Sequence, residues 1–162
     1  MSRVQQPLTD VGLFYKQIED FKERLSGVLD KLGRQKEIVE INKYYDKLLT
    51  VKKINPRKVI ELVYQYGVTT YADQILTRDE QFLLGEVKTL TEDKKKLEGL
   101  DIEQRDLLFI GQIRGVWDEL HESVKANIWN YIQVVCLLAE KVTGGDLLKR
   151  RREELKQQGR LN

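Results

Sequence analysis

Ala126-Asn127-Ile128-Trp129-Asn130-Tyr131-Ile132-Gln133-Val134-Val135-Cys136-Leu137-Leu138-Ala139 runs fourteen residues without a charge, in a chain of which 33% is charged. At 100° per residue its only polar side chains, Asn127, Asn130 and Gln133, fall on one neutral arc, and apolar residues fill the rest of the circumference. Such a helix is expected to be buried nearly all round, at the centre of a helical domain. The rest of the chain covers its exposed faces with Lys and Glu. The neutral arc therefore points to contact with another protein chain, or with a further segment of this one.

Outward from this helix the period stays helical. Phe14, Ile18, Phe21, Leu25, Val28 and Leu32 alternate spacings of four and three, introduced by Thr9 or Asp10 as cap and ended by Gly33. Ile38, Ile41, Tyr45 and Leu48 repeat the pattern after a short break, which predicts an antiparallel αα-hairpin of about 40 residues. Asn55-Pro56 is a capping residue followed by proline at a first helical position, opening a third helix with Val59, Val63 and Tyr66 inward and Gly67 as its stop. Residues 68–76 fit either a short helix or an extended connection. Thr77-Arg78-Asp79-Glu80 has capping-box form ahead of Phe82, Leu83 and Val87, and Asp101-Ile102-Glu103-Gln104 has a weaker form ahead of Leu107 and Leu108. Residues 91–99, with Lys94, Lys95 and Lys96, read as an exposed charged connector. Helix pairs with short breaks and no alternating strands predict an all-α compact multi-helix bundle, a single domain over residues 1–145.

A chain of 162 residues can bury a core without disulfide or metal staples, and one cysteine cannot form an internal bridge, which fits a reducing compartment. The first 25 residues have no signal-peptide core, and the fourteen-residue uncharged run falls short of the ~20 apolar residues of a membrane span. A soluble intracellular protein, in cytoplasm or nucleus, is expected. The net charge of +2 comes from residues 146–162, where six basic residues face three acids; the rest of the chain is at −1. Such a neutral body gives no general field for nucleic acid, so any polyanion contact is local. After Thr143-Gly144-Gly145, Asp146 can cap a basic terminal helix, read as an extension over residues 146–162.

The motifs that carry chemistry are missing. One histidine and one cysteine cannot make a zinc site, and His121-Glu122-Ser123-Val124-Lys125 lacks a second histidine. No phosphate-cradling glycine pattern precedes a helix; Gly111 and Gly115 read as loop or kink residues. Cys136 reads as an inert buried thiol, Ser123 as a helix cap and His121 as a surface residue. No catalytic residue, metal or cofactor is assigned.

Trp117 and Trp129 are read first as core and second as interface anchors, joined in the second reading by Asn127, Asn130 and Gln133. Two basic clusters are candidate polyanion contacts: Lys52, Lys53, Arg57 and Lys58 around the Asn55-Pro56 helix start, and Lys149, Arg150, Arg151 and Arg152 in the tail. The alternatives are a solvated loop and a solvated amphipathic helix whose cations pair with Glu153 and Glu154.

The order Phe14-Tyr15-Lys16-x-Ile18-x-Asp20-Phe21, Asn55-Pro56-Arg57, Leu108-Phe109-Ile110-Gly111, Val116-Trp117 and Ile128-Trp129-x-Tyr131-Ile132-Gln133 resembles small helical proteins of nucleocytoplasmic large DNA viruses. It departs from them at Ile110 and in the basic extension. The resemblance implies a viral, all-helical protein and supplies no catalytic residue. Two functional expectations follow. One is a non-enzymatic structural or adaptor protein, a virion or assembly component that contacts other protein chains. The other is a nucleic-acid-associated accessory protein that uses the basic tail.

Overall fold

The computed structural model describes residues 9–84 and 96–161. Val87 and residues 91–95 of the expected connector lie outside them. Among the described residues the chain is an all-α bundle without a strand; Lys96 and Glu103 form an isolated antiparallel bridge.

Helix α1 (Asp10–Lys31) begins where Thr9 accepts the Gly12 N–H at 3.1 Å, and ends where Gly33 takes φ 72°. Its buried side chains are Phe14, Tyr15, Ile18, Phe21, Leu25 and Leu29. The heptad reading holds to Leu25 and then slips to Leu29, leaving Val28 and Leu32 half-buried, because a straight helix drifts from a 3.5-residue repeat. Helix α2 (Gln35–Ile54) returns antiparallel with Ile41 and Leu48 buried, completing the expected hairpin.

Asn55 Oδ1 accepts the Arg57 N–H across a Pro56-Arg57 turn, and α3 (Lys58–Val63) follows. Gly67 does not stop it. The backbone runs through a π turn (Tyr64–Val68) into α4 (Thr69–Thr77), so residues 68–76 are helical. α4 closes at Arg78, in the left-handed region at φ 54°. The cap of α5 (Glu80–Leu84) is Asp79, which accepts the Gln81 and Phe82 N–H groups, rather than Thr77, whose hydroxyl turns back to the Asp73 carbonyl.

The capping box after Asp101 falls two residues later than its sequence form, on Glu103 and Asp106 around a 3-10 turn at Gln104–Asp106. Leu97 and Ile102 are buried, so the end of the expected exposed connector is anchored in the core. Gly111 and Gly115 lie inside α6 (Ile110–Val116), not in a loop. Ahead of α6 stands Phe109, fully buried at φ 57°, with its ring edge-on to Phe21 at 5.6 Å. An aromatic residue in that region is strained and is held there by the packing around it.

Helix α7 (Glu122–Thr143) contains the uncharged run and packs against α1, α3, the π turn, α4 and α8 (Leu147–Gln157). It is the central helix of the bundle. α8 is not an appendage: Leu148 and Leu155 are buried, and its main partner is α4. The boundary placed between residues 145 and 146 therefore marks a turn within the packed body, because Leu148 and Leu155 recur on one face seven residues apart.

Candidate functional site

α7 starts at a histidine cap. His121 Nδ1 accepts the Ser123 N–H at 3.2 Å and lies 2.9 Å from Ser123 Oγ, so the capping role expected of Ser123 belongs to His121. The helix buries Ile128, Trp129, Ile132, Val135, Cys136, Ala139 and Glu140. It is not buried all round. Asn127, Asn130, Val134, Leu137 and Lys141 are exposed at alternating spacings of three and four, one continuous stripe, with Val134 40% and Leu137 43% exposed. Periodicity fails here because the stripe's middle residues are as apolar as the core residues on the opposite face.

The neutral arc has a partner within the chain. Left-handed Arg78 reaches α7, where its guanidinium donates to Asn130 Oδ1 and to Gln133 Oε1 at 3.1 Å. Gln133 Nε2 in turn donates to the Ile75 carbonyl at 3.0 Å, in the last turn of α4. A lysine at either position would face Arg78, which accounts for the absence of a cation there. Asn127 stays exposed, beside α1.

Trp117 and Trp129 belong to the core and do not serve as interface anchors. Both are buried and meet edge to face at 6.4 Å; Trp117 donates its indole N–H to Glu80 and carries the Lys125 ammonium over its ring at 5.3 Å. Burial pushes the Cys136 thiol up to about 12, which makes it a poor nucleophile.

The first basic cluster is spent on structure. Lys52 sits 4.6 Å over the Tyr15 ring, Arg57 donates to the Val142 carbonyl at the end of α7 at 2.9 Å, and Lys58 pairs with Glu98; Lys53 is exposed. The second cluster divides. Arg151 grips Asp73 with two hydrogen bonds of 2.8 Å and also reaches Glu154, and Arg150 lies 3.6 Å from Asp146 on the surface. Lys149 and Arg152 turn instead toward a groove between α7 and α8.

That groove has a volume of about 710 Å³. Leu76, Leu137, Leu148 and Leu161 give it an apolar floor, and Arg78, Lys141, Lys149, Arg152 and Lys156 line its walls. Its acids are Glu153 and Glu140, and both Glu140 oxygens are engaged by backbone N–H groups of α8. Sequence reading missed Arg78, Leu137, Lys141 and Lys156. The spacing of Lys149, Arg152 and Lys156 at i, i+3 and i+7 was the available signal, since it puts three cations on one face of α8.

A second cavity, of about 70 Å³ beside the π turn, is lined by Tyr66, Phe82, Trp129, Ile132 and Cys136 among others and has room for little beyond water. Asp106 is buried, and burial raises its carboxyl to about 6. Its Oδ2 accepts the Glu103 N–H, while Oδ1 has no hydrogen-bond partner among the described residues. Among the described residues no group of three or more His, Cys, Asp or Glu is placed to hold a metal, and no helix is long and apolar enough to cross a membrane. No family model, curated protein or solved structure matches the chain.

Proposed function

We propose that the chain is a non-enzymatic structural or adaptor protein that docks other protein chains through the open face of α7. The observation that carries this reading is the stripe of Val134 and Leu137, 40% and 43% exposed, on the helix that otherwise forms the centre of the core. Exposed aliphatic residues aligned on one helix face, continuous with a groove, have the character of an interaction surface rather than of scattered surface apolar residues. The resemblance to viral proteins extends the reading to a virion or assembly component acting in host cytoplasm or nucleus.

The test is a photoreactive amino acid placed at Leu137, with Lys36 on α2 as the control position, in cells producing the full chain. Protein cross-links concentrated at position 137, and lost when Val134 is changed to Glu, support docking by this face. Equal cross-linking at both positions counts against it.

A nucleic-acid accessory role is the second reading, favoured by Lys149, Arg152 and Lys156 lying together on one face of α8. Phosphate contacts by these cations would make binding fall steeply with salt. The absence of DNA or RNA binding even at low ionic strength removes it.

A further inference from the structure

We infer that the groove between α7 and α8 receives an acidic amphipathic segment of a partner protein, whose apolar side chains cover the leucine floor while its carboxylates meet Lys149, Arg152 and Lys156. This inference rests on the docking reading above and names the chemistry of the partner. A helix laid in a groove presents anchors at i, i+3, i+4 and i+7, and α8 presents its cations at i, i+3 and i+7 along one wall. Arg78 and Lys141 extend the positive wall onto the other side, although Lys141 also has Asp10 at 3.4 Å.

The acids do not cancel this field. Glu140 is buried and its oxygens are turned to the Leu148 and Lys149 N–H groups, which leaves Glu153 as the exposed carboxylate of the groove. In a chain with a net charge of only +2, this is a local concentration of positive charge. It favours an acidic partner over a basic one by like-charge exclusion as well as by attraction.

Two other occupants fit the groove less well. No aromatic residue lines it, so the bases of a nucleic acid would find nothing to stack on, and the leucine floor would stay uncovered beneath a phosphate backbone. A small molecule needs convergent polar groups to fix its orientation, and the buried polar group here, Glu140, is already committed to α8.

The experiment is fluorescence anisotropy of the full chain with a labelled amphipathic peptide of about 20 residues carrying leucines on one face and glutamates on the other. The same peptide with lysine in place of each glutamate is the control. The glutamate peptide is expected to bind at least about tenfold tighter than the lysine peptide, with affinity falling as salt rises. K149E/R152E and, separately, Leu137→Asp are each expected to weaken it by about tenfold or more with helicity unchanged, whereas Lys36→Glu has no effect. Equal binding of the two peptides by the wild-type chain overturns the inference, as does an oligonucleotide that binds as tightly as the glutamate peptide and displaces it. Protein cross-links at position 137 without preference for the glutamate peptide would leave docking by α7 standing while refuting an acidic occupant.

Discussion

Glu140, on the last turn of α7, accepts the Leu148 backbone N–H at 2.7 Å across the Gly144-Gly145 turn. Its second oxygen lies 3.4 Å from the Lys149 nitrogen. A buried carboxylate from one helix thus caps the next, at the positive end of the α8 dipole, in the role the sequence assigns to Asp146. Asp146 makes no side-chain cap.

Glu140→Ala leaves the buried Leu148 N–H unpaired, so it is expected to destabilise the chain by about 1–3 kcal/mol, with Glu140→Gln milder because one acceptor remains. Removal of residues 146–162 costs more. It strips the buried Leu148 and Leu155 from α4 and α7, each leucine contributing roughly 1.5–3 kcal/mol. An extension that merely trails the Gly144-Gly145 break would be dispensable, and urea unfolding of the truncated chain decides between the two.

Asp73 and Arg151 join α4 to α8 through a two-bonded pair, and the guanidinium holds the Asp73 carboxyl below its ordinary range. Both side chains are partly exposed, so a double-mutant cycle with D73N and R151Q is expected to show a small but measurable favourable coupling, against nearly none for Asp146 and Arg150. Because the folded pKa is depressed, this contribution is present at neutral pH and is lost as pH falls below about 4.

Asp106 has the opposite sign. Burial raises its carboxyl from an ordinary value near 3.8 to about 6, so the folded chain keeps the proton longer than the unfolded one. Its contribution is greatest below the unfolded value and declines as pH rises through about 6, by roughly 2–3 kcal/mol at most. Unfolding measured from about pH 4.5 to 7.5 is expected to show this decline in the native sequence, and Asp106→Asn is expected to flatten it. An unchanged slope in the variant assigns the titration elsewhere.

A Cβ on Gly145 would lie 2.1 Å from the Tyr64 hydroxyl oxygen and 2.6 Å from the adjoining ring carbon. Gly145→Ala is therefore expected to cost about 1–3 kcal/mol by displacing the ring from the π turn. The same change in a Tyr64→Ala background should cost much less, and equal costs in both backgrounds would place the strain elsewhere.

The helices were legible in the sequence where local chemistry decides them. Thr9 and Gly33 bound α1, and Phe14, Ile18, Phe21 and Leu25 name its buried face, because caps and spacing act within a few residues. The π turn was not legible, since Gly67 reads as a stop unless tertiary contacts carry the helix past it. The buried tryptophans and the neutral arc were visible as features, but their partners were not. Arg78 meets Asn130 and Gln133 across more than fifty residues, and Glu140 meets Leu148 only because the intervening turn folds back. The groove was hidden for the same reason, since its walls come from α4, α7 and α8.

The central claim is that the open face of α7 is covered by another protein when the chain is at work. The direct measurement is the size of the complexes that carry the chain in extracts of producing cells, compared for the native sequence and the V134D/L137D variant, with thermal unfolding of both purified proteins alongside. Because both positions are already exposed, the midpoints are expected to agree, while the native chain runs in a larger complex and the variant runs alone. A variant that stays in the complex, or a native chain that runs alone, contradicts the claim.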